Sequence, residues 1–225
     1  IWWKVTNSPY RIGENPEVYI KIFSTTPNCW FHDLMDNGRR PLEHAHNGKN
    51  NEPRFWHIFI GTNNHFAVAL PLKDKRATSI RETLTEFIDK YHPNKLTSDE
   101  EPGFVEKNNL KLLSENHVIV QIITDQNHSS LGIIDRFIRT LRDMNIPTEK
   151  GEKQSIDAKY RWFSIKRMSK LIEIYNSTFH SRINCSSKEM FDNTELEKEY
   201  IFKQLAKQEN IKDLHLHEGS FVRYI

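Results

Sequence analysis

Several features are scarce in this chain. No apolar run approaches the roughly 20 residues that a membrane helix needs, and no signal peptide is visible. Cysteine occurs only as Cys29 and Cys185, far apart, so a disulfide framework is not expected and a reducing compartment fits better. The same scarcity argues against a complete Cys/His zinc module. There is no internal repeat and no low-complexity tract, which excludes repeat architectures. A strong net charge is also missing: the formal balance is +2.

What is present suits a globular domain. Hydrophobic residues make up 37% of the 225 residues and aromatics 11%, enough for one good core with a small appendage. The chain starts with Ile1 rather than Met, and we expect a piece of a longer polypeptide. Charge is unevenly placed. Residues 136–170 hold ten Lys/Arg against four Asp/Glu, whereas 189–218 hold four against eight. A basic block of that kind can hold an anionic partner.

The pattern of apolar residues predicts the elements. Residues 1–25 read as an incomplete leading segment. "CWFHDLMD" (29–36) reads as a strand carrying Asp33, and 35–54 as a long polar loop. "FWHIFIG" (55–61) and "HFAVALPL" (65–72) read as strands joined by a tight turn. Ile80, Leu84, Phe87, Ile88 and Tyr91 recur at helical spacing until Pro93. "KLTSD" (95–99) is a short strand ending in Asp99, 104–116 a helix, and 117–124 a strand. Ile134, Phe137, Ile138 and Leu141 give the next helix an apolar stripe. A long helix is expected over roughly 156–178, with Met168, Leu171, Ile172 and Tyr175 on one face, and another over 194–210. "HEGSFVRYI" (217–225) looks like the entry to one more strand. Trp30, Phe55 and Trp56 are expected in the core; Trp2, Trp3 and Trp162 suit either a core or an interface.

This order, three antiparallel strands followed by β-α repeats, predicts an α/β fold: a ribonuclease-H-like mixed five-stranded sheet with flanking helices, followed by helices and the start of a small β-barrel. In that topology the first and fourth strands are neighbours. Asp33, Asp99 and Asp135 would then meet at one end of the sheet. Carboxylate oxygens suit hard divalent cations, and a pair of such ions can activate one oxygen and stabilise another during phosphoryl displacement. The plainer reading is that, among 30 acidic residues, three at strand ends arise easily, and that an Asp near a helix start is an N-cap or dipole partner.

Several segments resemble the catalytic core of retroviral-type integrases, the DDE transferases of retroelements and DNA transposons, with a flavour similar to Polinton/Maverick and retrotransposon integrases. "CWFHDL" is similar to the strand of the first Asp. "HFAVALPLKDK" is similar to the strand that leads into a "PL-K-K" turn. "KLTSDEEPGF" resembles the motif of the second Asp, and "HSSLGIIDRFIRTLRD" that of the third acid. Between Asp99 and Asp135 lie 35 residues, the spacing that characterises the D,D-35-E enzymes. "LIEIYNSTFHSRINCSSKEMF" resembles the segment after the core, and "HEGSFVRYI" the start of the following barrel. The third acid here is Asp135 in place of Glu, shorter by about 1.5 Å. Ser187 stands where a late Pro is usual.

The resemblance implies four parts: an incomplete leading segment (1–27), a catalytic core (28–150), a helical extension (151–214) and the start of a small β domain (215–225). It implies a DNA integrase or transposase core that processes 3′ ends and transfers strands, with Asp33, Asp99 and Asp135 holding two Mg²⁺ or Mn²⁺ ions. It implies DNA as partner, a homodimer or homotetramer, no membrane, and a location in the nucleus or a virus-like particle. Arg139 and Arg142 lie four and seven residues after Asp135 and share its helix face, where they can take DNA phosphates. His128, Lys166 and Arg167 join them as DNA-binding candidates, with Lys150, Lys153, Lys159, Arg161 and Lys170 as a possible backbone track or a solvated face. An Asp135–Arg139 surface pair is the competing reading. His44 and His46 can ligate metal, but no partner set is visible. Three alternatives stay open: an inactive relative kept for DNA binding or scaffolding, a different nuclease of the same fold acting on RNA–DNA hybrids, and a plain structural module.

Overall fold

The computed structural model describes residues 23–38, 53–123, 131–145 and 163–209. Most of the leading segment and of the 35–54 loop, "HEGSFVRYI", Trp2, Trp3 and Trp162 lie outside the described residues.

Strands β1 (Cys29–Asp36), β2 (Phe55–Gly61) and β3 (Ala67–Leu72) form an antiparallel meander. Helix α1 (Ala77–Tyr91) crosses to β4 (Lys95–Ser98), and α2 (Lys107–Glu115) leads to β5 (Ile119–Ile122). Both later strands run parallel to β1, and the sheet order is β3-β2-β1-β4-β5. Helices α3 (Gly132–Met144) and α4 (Ile165–Ser177) follow, then a two-stranded hairpin of β6 (Phe179–His180) and β7 (Cys185–Ser186), and helices α5 (Ser187–Asp192) and α6 (Thr194–Glu209). This is the expected mixed five-stranded sheet with helices on both faces.

Alternation along β1 divides the core. Trp30 and Leu34 point to one face, where they pack with Phe59, Leu72, Leu96 and the buried stripe Ile80, Leu84, Phe87 and Ile88 of α1. Phe31 and Met35 point to the other, where Trp56, Ile58 and Ile60 meet Ile134, Phe137, Ile138 and Leu141 of α3 and Met168 and Leu171 of α4. Two layers of helix therefore bury a sheet that is apolar on both sides. The β2–β3 turn is tight at Gly61, where a Cβ would lie 1.9 Å from Asn64 Oδ1. Helix α1 ends where His92 takes a left-handed φ of 44° and donates its N–H to Ile88, one residue before Pro93.

Two helix starts differ from the sequence expectation. Helix α4 begins at Ile165 rather than near 156. Ser164 caps it by accepting from Arg167 N, and Phe163 instead donates its N–H to Asn37 Oδ1 at 3.0 Å. Helix α2 begins at Lys107 rather than 104, because Glu106 caps it and Phe104 turns into the core. Residues 179–192 fold into the small hairpin and α5, whose capping box joins Ser186 and Glu189.

Edge strand β3 is closed at its start by a side chain. Asn176 of α4 donates Nδ2 to Ala67 O and accepts from Ala67 N through Oδ1, both at 2.8 Å, imitating a neighbouring strand. Asn176→Ala leaves both buried backbone groups unpaired, and we expect it to lower unfolding stability by about 2–4 kcal/mol. Asn176→Asp keeps the acceptor for Ala67 N but sets a carboxylate oxygen against Ala67 O, and should cost at least as much as Asn176→Ala. Urea midpoints of the three proteins check this, and an unchanged midpoint for Asn176→Ala rejects it.

Candidate active site

The parallel pairing of β1 with β4 sets the site. Phe31 stands opposite Thr97 in the register, so Asp33 and Asp99, each two residues further on, emerge on the same face at the same end. Asp33 lies between Phe31 and Met35, both of which pack toward α3. Asp135 lies in the first turn of α3, exposed to solvent. Asp33 feels the charges of the other two. Burial pushes the Asp33 carboxyl above the usual range, an N–H bond from Leu34 opposes this, and the charges of Asp99 and Asp135 push it up further. Lys75 is a cation acting in the opposite direction.

Each acid is held locally. Asp33 Oδ1 accepts from Leu34 N at 2.6 Å. Asp99 Oδ1 accepts from Glu101 N and Ser98 Oγ, both at 3.3 Å. The loop that follows Asp99 is fastened to α1. Gly103 approaches so closely that a Cβ would meet Lys75 O at 2.6 Å. Buried Asn109 donates to Gly103 O at 2.7 Å and Ala77 O at 3.0 Å, and Arg81 bridges Asn109 and Glu106 at 2.9 and 3.1 Å.

Behind Asp33, on the α1 side, lies a buried histidine pair. Thr83 Oγ1 donates to Ile80 O at 2.9 Å and therefore accepts from His57 Nδ1 at 2.7 Å. His57 Nε2 then accepts from His32 Nδ1 at 3.1 Å, which leaves His32 Nε2 as a buried lone pair without a partner. Burial holds the His32 imidazole down to about 3, so the pair is neutral and packs edge-on to Phe104, at 4.1 Å between ring centres. His32 thus links the strand of Asp33 to the loop of Asp99.

The basic candidates divide. Arg139 and Arg142 are exposed on α3 together with Arg136, and among the described residues none of the three has an ion-pair partner. An Asp135–Arg139 pair is absent, and Asp135 does not cap its helix, whose N-cap is Leu131. Lys166 is exposed. Arg167 is engaged: its guanidinium bonds the side chain of Asn145 and, at 3.0 Å, its carbonyl, tying α4 to the end of α3. His128, His44 and His46 lie outside the described residues, as do Lys150, Lys153, Lys159 and Arg161.

Among the described residues no three Asp, Glu, His or Cys side chains stand close enough together to share one metal ion. The donor chemistry nonetheless fits a hard dication. All three groups are carboxylates, the hard oxygen donors such an ion takes. No helix among the described residues is long and apolar enough to cross a membrane.

Sheet order and helix placement define a ribonuclease-H-like fold, the fold of integrase catalytic cores. The chain superposes on the catalytic core domain of BIV integrase with a TM-score of 0.53 and 17% identity, covering 77% of this chain and 99% of that one. A chain of a simian T-cell lymphotropic virus intasome, solved with the PP2A regulatory subunit B56 gamma, gives 0.53 and 13%, covering 76% of this chain and 56% of that one. No protein-family model and no curated protein sequence matches.

Because the folded carboxyl of Asp33 is raised, the native state binds more protons than the unfolded state between the ordinary value and the raised one. Stability therefore falls as pH rises through that window and remains lower above it. Asp33→Asn keeps the acceptor for Leu34 N and removes the charge. Without divalent cations at pH 7 it should melt roughly 2–4 °C above the wild type for each kcal/mol regained, with the gap closing in acid. Thermal scans across pH test this, and a variant that melts lower at pH 7 rejects it.

Proposed function

We propose that this chain is the core of a DNA integrase or transposase that trims a DNA 3′ end and joins it to a target phosphodiester. The observation that carries the reading is the β1–β4 register, which brings Asp33 and Asp99 to one face and one end of paired parallel strands, with Asp135 in the first turn of the helix packed on that face, on a fold shared with an integrase catalytic core. Asp33, Asp99 and Asp135 would hold Mg²⁺ or Mn²⁺, whose role when bound is to polarise the phosphoryl group and activate the attacking oxygen. The protein's own part is positional. Strand register presents two carboxylates from a rigid sheet, α3 presents the third, and its exposed arginines Arg136, Arg139 and Arg142 offer charge-assisted bonds to the DNA backbone. Lys166, and His128 from the segment before α3, extend that surface in the same reading, with Arg167 fastening α4 behind it. Domain limits at 27, 150 and 214, a dimer or tetramer, and a nuclear or particle-bound location belong to this proposal.

A second reading has its own support. The third acid is Asp, and among the described residues no three such side chains stand close enough to share one ion. A relative that retains DNA binding without chemistry fits both facts.

A strand-transfer assay separates the two. It uses Mn²⁺, a 3′-hydroxyl-ended DNA duplex and a supercoiled plasmid target. For an active core, wild type joins DNA and Asp135→Asn lowers the yield by about 10²- to 10³-fold, the loss typical of removing one group that stabilises transition-state charge. Mn²⁺ should also raise the melting temperature of wild type and leave Asp33→Asn unmoved. A silent wild type that Asp135→Glu rescues assigns the second reading. Cleavage restricted to RNA–DNA hybrids, with no joined product, defeats both.

A further inference from the structure

Lys75 occupies a distinctive position. It belongs to the short connection between β3 and α1, far in sequence from all three acids. Its Nζ is 3.5 Å from Oε2 of Glu101, which lies in the loop that follows Asp99. It also sits 6.0 Å from the ring centre of Phe55, the residue opposite Asp36 at the end of β1. Its charge acts on both Asp33 and Asp36. One ammonium therefore spans the mouth of the acid centre, between the carboxyl end of β1 and the loop of Asp99.

Neighbouring cations are differently placed. Arg54 pairs with Asp36 at 3.2 Å and lies 4.9 Å from the Phe55 ring. Arg76 pairs with Asp74 at 2.9 Å, within its own loop. Arg81 is built into the Asn109–Glu106 network. Lys75 and Glu101 are a partly exposed ion pair, 40% and 24% accessible at the side chain. Such a pair contributes little to stability, so its partners are free to exchange at small cost. Lysine, a compact charge on a flexible stem with three donors, suits a phosphate that arrives and leaves.

We propose that Lys75 is a phosphate-binding residue of the active site, held by Glu101 in the free protein and transferred to a DNA phosphodiester oxygen when a strand enters the acid centre. Glu101 is then a competing anion that sets the strength of binding. This rests on the DNA reading above and adds a specific contact and a regulator to it. No covalent step is involved: one ion pair is exchanged for another.

The pair makes a signed prediction. The probe is a fluorescein-labelled blunt DNA duplex, titrated with full-length protein in Mn²⁺ over a series of salt concentrations. Lys75→Met should weaken binding by about fivefold and reduce the slope of log affinity against log salt by about 1. Glu101→Gln should tighten binding by a similar factor, because Lys75 no longer has a rival partner. The double variant should behave like Lys75→Met alone. Lys75→Arg should restore the slope. A purely structural ion pair predicts that both single variants weaken binding together, and melting temperatures identify any loss of fold. If wild type binds and Lys75→Met leaves the slope unchanged, or if Glu101→Gln weakens binding in a folded protein, the role of Lys75 is rejected while the DNA reading survives. If wild type binds no DNA, both fall.

Discussion

The parallel register of β1 against β4 is the constraint on which the rest depends. Because side chains alternate along a strand, a shift of one residue would turn Asp99 into the α1 core and leave Asp33 facing α3 alone. The register is held from both sides. Trp30 and Leu96 are buried under α1, and Phe31 packs under α3. The apolar cores thus do more than stabilise the sheet: they force two carboxylates to the same edge despite their mutual repulsion.

A cluster optimised for stability would pair its acids, yet Asp33 is pushed toward the neutral form by burial and by both neighbours. Local conflict of this sort is expected where a fold is shaped for binding. Its cost is offset by the surroundings. The Asn109 hub pins the loop of Asp99 to α1, the buried His32–His57 pair ties β1 to β2 and α1, and Asn176 closes the edge at β3. Cations come from different elements: Lys75, in the β3–α1 connection, acts on Asp33, and Arg136, Arg139 and Arg142 are exposed on α3. In the proposed function such cations would meet a phosphate backbone while the acids meet its reacting group.

Much of the fold was legible because its signals are local. The limits of β1 follow from the run "CWFHDLMD", α1 from a stripe at helical spacing with Pro93 beyond it, and α3 from the apolar residues Ile134, Phe137, Ile138 and Leu141. The missed boundaries were also local, but the signals were small. Ser164 alone starts α4, and the only sequence mark of α5 is the S-x-x-E of its Ser186–Glu189 capping box. Asn176, Asn109 and His32 carry no such mark. Each is a polar residue that reads as a helix face or strand interior, and each acts across a distance the sequence does not display: Asn176 reaches Ala67, Asn109 reaches Ala77, and His32 reaches His57.

The sequence by itself determined the elements, the sheet order implied by three strands and two β-α units, and three acids with a 35-residue gap. Periodicity and spacing are sufficient for those, because they depend on neighbours along the chain. Only the tertiary structure decided that Asp33 feels both Asp99 and Asp135, that Asp135 and Arg139 form no pair with each other while Asn145 takes Arg167, and that Lys75 is paired with Glu101 of the loop that follows Asp99. These are matters of charge and register in space. They are set by which strands lie side by side and which loops they bring together.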